Sequence, residues 1–436
     1  MAANAAAIGV SFASGVMVGS QVRNHNNPAP CERSSTFGRR PTSVSYGCCQ
    51  VRVPDALLTH CLAQMPVVHD TPLQFRAISK TASTETFSQR LARFHNLRAD
   101  DIRLHDTDKY HRLLTADFLQ QQKQFYNIPN YSTVIQYLFL PEMVEWSEAD
   151  TTCMCTLTTG KVTFTFYCPP PTEELERLIM DVIQMTLFMI RLAGSSPGET
   201  TLQMHIFLND RPKEYVQGES SPVGSPRYIN TGGCVRDGVI CMYRSEEIVK
   251  VTCHELCHAL KIDNYTASDR MSRQLQHLVS IKTGWFNPAE SVTETMARIL
   301  TCIYLSAHGD GIETLLETQF RYGMQQASKV LYWNGVRCMQ DLKTTAITQT
   351  TYAIEYHLFT SALMYSICQS SNLLPLILGR VGAGGTRSLN SDESRADIAA
   401  QCIAQCLTPG SGFAQVMDTL LQHMAMTEPT TRMTPF

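Results

Sequence analysis

Apolar and polar side chains follow regular patterns from about residue 151 of the chain. Residues 156–167 are rich in β-branched and aromatic side chains around a central Thr-Gly-Lys, which predicts a β-hairpin. Residues 173–192 carry apolar side chains at helical spacing, and Thr172 before them suits a helix N-cap. Residues 202–208 alternate as a strand does. This part of the chain therefore predicts a hairpin, a helix and a strand in succession.

Similar patterns continue through the middle of the chain. Short apolar runs at 228–231 and 239–243 predict two further strands, and 245–261 predicts a helix. Another helix should begin near Pro288, because Asn287 suits an N-cap and proline suits the first helical turn. Two strands and two helices are thus expected in that order.

The N-terminal part of the chain gives weaker patterns. Helices are predicted at 82–97 and 110–126, and a strand at 133–140. Residues 1–21 carry no charged side chain and are long enough for a membrane anchor. They are rich in Ala, Gly and Ser, however, and lack the basic start of a signal peptide. Residues 1–21 therefore have two possible interpretations, a membrane-associated segment and a flexible apolar tail.

Composition and charge narrow the class of protein. Hydrophobic residues make up 44% and charged residues 17% of the 436 residues, as in globular proteins. The formal net charge of -3 argues against a nucleic-acid binder, which would carry a basic face. Sixteen scattered cysteines include no two facing CxxC pairs, which argues against a zinc ribbon or finger. Without a secretory signal, we expect reduced thiols in an intracellular setting.

One motif carries chemistry: His254-Glu255-x-x-His258, in the helix predicted at 245–261. Two histidines at this spacing lie on one face of a helix, where both rings can bind one Zn²⁺ at about 2.0–2.1 Å. Glu255 can then take a proton from a zinc-activated water and deliver it to a leaving group. Cys257 points off the histidine face and is expected to pack as a small apolar side chain. The motif predicts a hydrolytic centre with one zinc ion per chain.

A catalytic zinc ordinarily has a third protein ligand and one open position. Glu290 and Glu294 lie on one face of the next predicted helix, at a distance along the chain that allows a loop and a return. We take Glu290 as the ligand and Glu294 as the acceptor that orients a ligand histidine through its other ring nitrogen. The reverse assignment is almost as good. Asp263 and His277 are weaker alternatives.

The element order and the motif residues together resemble a known family. A hairpin, a helix, strands, an HExxH helix and a glutamate helix follow one another as in the zincin metallopeptidases. The HExxH motif at 254–258 with ExxxE at 290–294 is similar to the glutamate-liganded branch of that family, the gluzincins. The stretch 228–260, with Thr-Glu-Thr-Met-Ala-Arg-Ile-Leu at 293–300, also resembles uncharacterised HExxH proteins of large DNA viruses.

The resemblance implies further site residues. A peptide substrate would lie along an edge strand beside the zinc, where its backbone can pair in extended form. The candidate edge residues are Asn230, Thr231, Gly232 and Gly233. A second electrophile for the developing oxyanion would come from beyond the glutamate helix. The candidates for that catalytic role are Tyr356 and His357.

We therefore expect an α+β fold with a zincin-like catalytic subdomain, built from a small mixed sheet and the HExxH helix. The expected regions are an apolar or flexible segment at 1–27, a mixed region at 28–150, the catalytic subdomain at 151–310 and a mainly helical subdomain at 311–436. The expected activity is zinc-dependent cleavage of an amide bond in a protein or peptide, inside a cell or, from the viral resemblance, in an infected cell or virion. A catalytically idle zincin scaffold and a membrane-associated structural or virion protein are the alternatives.

Overall fold

The structure of the protein is a computed structural model. The described residues are 53, 55–66, 73–77, 152–195, 198–215, 224–230, 232–236, 238–263, 268–282, 286–307, 309, 311–370, 372–378, 390–424 and 430–435. All of them belong to one compact unit, Val44–Lys80 with Asn127–Phe436. The second unit lies wholly outside the described residues, as do the predictions for residues 1–27, for helices at 82–97 and 110–126 and for a strand at 133–140.

A six-stranded mixed sheet runs in the order β1-β2-β3-β4-β6-β5. The strands are β1 Phe75–Ala77, β2 Cys153–Thr159, β3 Val162–Cys168, β4 Leu202–Phe207, β5 Gly232–Arg236 and β6 Val239–Met242. β3, β4 and β6 are parallel neighbours, whereas β1, β2 and β5 run antiparallel to the strands beside them. β5 is therefore an edge strand, antiparallel to its neighbour.

Helices make up most of the remaining described chain. They are α1 Asp55–Ala63, α2 Glu173–Leu192, α3 Pro226–Ile229, α4 Ile248–Ala259, α5 Asp269–Leu278, α6 Ala289–Ser306, α7 Ile312–Trp333, α8 Thr360–Gln369, α9 Leu373–Ile377, α10 Asn390–Leu407 and α11 Gly412–Gln422. A 3₁₀ turn spans Met339–Lys343, and a π-helical turn at Glu355–Phe359 leads into α8. The protein is thus a mixed α/β structure with a small sheet and a mostly helical C-terminal part.

One hydrophobic core joins the sheet to the helices. The central strand β3 is buried along most of its length, as expected for a strand with both faces of the sheet covered. α4 packs against α2, α6 and β5, so the HExxH helix lies between the sheet edge and the glutamate helix. Helices on both sides of residue 310 contribute to the same core, through side chains such as Met296 of α6 and Met324 of α7. No helix among the described residues has the length and apolar character needed to cross a membrane.

Several sequence-based predictions of single elements are confirmed. The hairpin appears as β2 and β3, and the strands predicted at 202–208 and 239–243 appear as β4 and β6. α2 begins after Thr172, whose hydroxyl oxygen accepts a hydrogen bond of 3.2 Å from the Leu175 amide. Such a cap stabilises a helix by about 1 kcal/mol. The predicted HExxH helix appears as α4.

Other local predictions were wrong. A helical turn, α3, replaces the strand predicted at 228–231, and the edge strand begins only at Gly232. At Gly232 a Cβ atom would lie 2.6 Å from Met242, so the close approach of β5 to β6 requires glycine. α5 was not predicted, because its sequence is polar apart from a few positions such as the buried Leu275. α6 starts one residue after Pro288, although the Asn287 side chain still accepts from the Ala289 amide as a cap does.

Candidate metal centre

α4 carries the three motif residues and packs against α2, α6 and β5. His254 and Glu255 are each only 5% exposed, whereas the His258 side chain is 29% exposed. The spacing of the two histidines places their rings one turn apart, with centroids 4.9 Å from each other. The helix thus presents two imidazoles on one face, and the side chain of Glu255 beside them is buried.

α6 brings a third side chain to the same point. The Nε2 atoms of His254 and His258 are 3.2 Å apart, and Glu290 Oε2 lies 3.5 Å from the first and 3.6 Å from the second. Two ligands bound at about 2.0–2.1 Å to a tetrahedral zinc would lie about 3.3–3.4 Å apart. The three atoms therefore form a triangle of the size that a tetrahedral zinc requires. Among the described residues, these three side chains are the group close enough to hold a metal ion.

His254 is oriented from behind by a buried carboxylate. Its Nδ1 lies 3.1 Å from Glu294 Oε2. Lys250 Nζ contacts both Glu294 oxygens at 3.0 and 3.1 Å, and Arg298 Nε contacts Oε1 at 2.9 Å. Burial alone would raise the pKa of Glu294, but Lys250, Arg298 and His254 together lower it well below its usual value. Glu294 is therefore ionised and accepts the proton of His254 Nδ1.

His258 is oriented by the carboxylate of Asp263, which the turn at the end of α4 places beside the ring. Lys261 adopts a left-handed conformation (φ 54°), and the Ile262 amide donates to the Cys257 carbonyl at 2.9 Å. This Schellman-type turn ends α4 and brings Asp263 Oδ2 to 2.5 Å from His258 Nδ1. The pKa of Asp263 would rise through burial, but hydrogen bonds from His258 and from Thr293 of α6 lower it. Asp263 is thus ionised and accepts the second Nδ1 proton.

These two hydrogen bonds determine what the Nε2 atoms can do. In each neutral imidazole, a proton on Nδ1 leaves Nε2 as a bare acceptor. Two such acceptors 3.2 Å apart, with the Glu290 carboxylate beside them, repel one another unless a cation lies among them. The chemistry of this donor set, two imidazoles and one carboxylate, fits Zn²⁺.

The pKa values of His254, His258 and Glu290 also indicate that the site attracts positive charge. Burial opposes protonation of His254, but hydrogen bonds to Glu290 and Glu294 outweigh it and raise its pKa to about 9. The pKa of His258 lies well above its usual value, again against the effect of burial, because Asp263 and Glu290 contact it. Burial would raise the pKa of Glu290, yet the two histidines lower it to about 2. The site therefore favours a cation at the three ligand atoms.

A small cavity opens beside His254. The volume open to the centre of a water molecule is about 20 Å³. Because roughly 10–15 Å³ of such volume holds one water, the cavity has room for a single water molecule. Its lining includes Gly232, His254, Glu255, Glu294, Tyr356 and Met433. Burial raises the pKa of Glu255 in this cavity. A buried carboxyl group and room for one water thus lie beside His254, one of the three candidate ligands.

The two residues proposed as electrophiles have different positions. The Tyr356 ring lies 5.6 Å from the His254 ring, and its hydroxyl donates to Glu290 Oε2 at 3.4 Å. His357 is fully buried and is not among the residues that line the cavity, and burial lowers its pKa well below the usual value. The π-helical turn separates the two side chains. The structure thus brings Tyr356 to the centre and does not bring His357 there.

The candidate substrate edge is only partly as expected. Gly232 and Gly233 begin the edge strand β5, whereas Thr231 lies outside the described residues. The Asn230 carbonyl accepts from Arg244 at 3.0 Å, and its side-chain oxygen accepts from Thr351 at 3.0 Å. Asn230 is therefore held in place by the protein itself, and the edge strand begins at Gly232.

Sequence reasoning missed several residues of this centre. The sequence predicts Asp263 only as a weaker alternative ligand. Its position five residues after His258 could, however, have indicated a carboxylate that contacts that histidine. Arg298 lies one turn after Glu294, so helical spacing could have placed it there, whereas the contact of Lys250 with Glu294 depends on the packing of α4 against α6. Met433 gave no signal, because its place depends on a distant part of the chain. His277, the other alternative ligand, is not in the metal-binding group.

Comparisons with known proteins find no family model that matches the chain, and no curated protein and no solved structure with significant similarity to it.

Proposed function

We propose that this protein is a zinc-dependent hydrolase, most simply a peptidase that cleaves an amide bond. One observation carries the proposal. The Nε2 atoms of His254 and His258 and Oε2 of Glu290 form a triangle with sides of 3.2, 3.5 and 3.6 Å, and both Nδ1 atoms donate to ionised carboxylates. Three protein ligands leave one tetrahedral position open, as in catalytic rather than structural zinc sites.

The resemblance to the gluzincins agrees with this arrangement. An HExxH helix, a glutamate helix packed against it and an antiparallel edge strand occur in the order expected for a zincin-like fold. The roles that the resemblance implies for Glu290 and Glu294 also match their distances from the two histidine rings. Zincin identity is part of the proposal.

Each group near the ligands has a defined part in the proposed reaction. When bound, the zinc supplies Lewis acidity that lowers the pKa of a water molecule to near 7. Glu255, buried beside the cavity, takes the proton from the attacking water and passes it to the leaving amine. The Tyr356 hydroxyl, next to Glu290, donates to the oxygen on which negative charge develops.

Among the described residues no strand pairs with the outer edge of β5, and this supports a peptide as the substrate. β5 is the last strand of the sheet and begins at Gly232, which also lines the cavity. An extended peptide can add to such an edge through backbone hydrogen bonds and so lie across the candidate metal position. This arrangement favours an unfolded segment or a loop over a small molecule.

The proposal is tested by the zinc content of the purified protein beside that of His254→Ala. We expect about one zinc per chain in the wild type and none in the variant. The wild type is then screened for cleavage of mixed peptides. A wild-type protein that takes up no zinc, even when zinc is supplied, would remove the basis of the proposal.

Glu255→Gln separates an active enzyme from an idle scaffold. We expect the variant to keep its zinc and to lose hydrolysis by about 100- to 10,000-fold, the usual contribution of a general base. Glu317→Gln is the control, because Glu317 is half exposed on α7 and forms a surface ion pair with Arg321. Full activity of Glu255→Gln would contradict the mechanism, and zinc without any turnover in the wild type would favour the scaffold.

A further inference from the structure

The segment Thr430–Pro435 lies deep in the molecule although it belongs to no helix or strand. Thr431, Met433 and Thr434 are 0%, 3% and 1% exposed. The Thr431 amide donates to the Lys213 carbonyl at 2.7 Å, and Gln319 Nε2 donates to the Met433 carbonyl at 2.9 Å. Irregular chain usually lies on the surface, so such burial of backbone needs an explanation.

The segment holds the start of the metal helix. The amides of Met433 and Thr434 both donate to Glu247 Oε1 at 2.5 Å, and Lys213 Nζ binds Glu247 Oε2 at 2.5 Å. Glu247 directly precedes α4 and has a left-handed backbone (φ 61°), which an L-residue keeps only when its surroundings hold it. The path of the chain into α4 therefore depends on this segment.

A second connection leads to the ligand His254. Met433 Sδ lies 3.5 Å from Lys250 Nζ. Lys250 binds both oxygens of Glu294, and Glu294 accepts from His254 Nδ1. Two residues thus link the Met433 side chain to the first imidazole.

A third connection leads to Tyr356. Met433 forms a small apolar cluster with Tyr228, Ile229 and Ala353, and Tyr356 packs against this cluster. Met433 and Tyr356 also line the same cavity beside Glu255. The side chain of Met433 therefore contacts Lys250, behind His254, and belongs to the apolar cluster against which Tyr356 packs.

We propose that Thr430–Pro435 is a positioning clamp of the metal centre, in which Met433 sets the places of Lys250 and Tyr356. The inference rests on the proposed function, since it concerns the same site. A methionine that only filled the core would contribute to stability and leave metal binding unchanged. If Met433 acts as a clamp, shortening its side chain must also change the metal centre.

Met433→Ala tests the clamp, with Met417→Ala as the matched control. Met417 is 0% exposed on α11, and it belongs to the main core rather than to the cluster around Met433. Three quantities are measured: the thermal midpoint without metal, the zinc dissociation constant by chelator competition, and the visible absorption of the Co²⁺-substituted protein. Met433→Val, which removes less volume, replaces the alanine variant if that variant does not fold.

We expect both alanine variants to lower the thermal midpoint. Only Met433→Ala should raise the zinc dissociation constant, by about 10-fold, the low end of the range for groups that orient a ligand. Only Met433→Ala should shift the Co²⁺ spectrum, because that spectrum reports ligand geometry. Wild-type affinity and an unchanged spectrum in Met433→Ala would overturn the clamp alone. A wild type that binds neither metal would overturn the proposed function, and the clamp with it.

Discussion

His254 and His258 stand one turn apart on the same helix, but different groups hold them. The carboxylate behind His254 is 1% exposed and is neutralised by Lys250 and Arg298. The carboxylate behind His258 belongs to Asp263, is 10% exposed and receives a hydrogen bond from the neutral hydroxyl of Thr293. The His258 side chain itself is 29% exposed, against 6% for His254.

The difference follows from the cost of burying charge. A carboxylate taken fully out of water needs cations and several hydrogen bonds, whereas one near the surface keeps part of its hydration. Glu294 is therefore held by Lys250 of α4 and by Arg298 of its own helix, while Asp263 depends on a local turn and one hydroxyl. We expect the two halves of the centre to contribute equally to ligand geometry but unequally to stability.

The largest effect on zinc binding should come from removing the imidazole ring of either His254 or His258. His254→Ala and His258→Ala should both lose stoichiometric zinc, since each leaves two protein ligands. Only His254→Ala should also lower the unfolding free energy of the metal-stripped protein, by about 1–3 kcal/mol, because a fully buried acceptor loses its donor. Metal analysis and denaturant unfolding measure both. Equal stability losses in the two variants would contradict the comparison.

Changing the two carboxylates should give the next largest effect on zinc binding. Glu294→Gln and Asp263→Asn should each weaken zinc binding by about 10- to 100-fold. Glu294→Gln should also lower the unfolding free energy by about 3–5 kcal/mol, because two buried cations lose their counter-ion. For Asp263→Asn we expect a far smaller loss of stability. Chelator competition and denaturant unfolding measure these effects.

The exposed pair on α7 provides the control for that prediction. Glu317→Gln breaks an ion pair whose side chains are 51% and 53% exposed. It should leave zinc affinity unchanged and alter stability by less than about 1 kcal/mol. If Glu294→Gln behaves like Glu317→Gln, the buried network does not support the centre.

The smallest effect should come from Thr293→Val. The variant removes the hydroxyl that holds Asp263, a single hydrogen bond of 2.8 Å. A hydrogen bond to a charged group is worth about 1.5–3 kcal/mol. Asp263 keeps its contact with His258 in this variant, so only part of that energy acts on the metal and zinc affinity should fall by less than about 10-fold. Chelator competition against Asp263→Asn measures the difference. A Thr293→Val loss larger than that of Asp263→Asn would mean that Thr293 acts on the centre by another route.

Local elements were largely predictable because local rules govern them. The hairpin, α2 with its Thr172 cap, and α4 with its histidine spacing depend on side chains within a few residues of one another. The error at 228–231 has a tertiary cause. Arg244 binds the carbonyls of Arg227 and Asn230, and this contact with a distant residue accompanies a helical turn in place of the predicted strand.

The sequence by itself determined that two imidazoles and a carboxyl group share one turn of helix, because the spacing of side chains on a helix depends only on backbone hydrogen bonds. It also limited the third ligand to a few acids. Only the tertiary structure decided that Glu290 faces the Nε2 atoms and Glu294 faces Nδ1, because the packing of α6 against α4 sets that rotation. The same holds for the place of Met433, since contacts between residues far apart in the chain arise from the packing of the whole core.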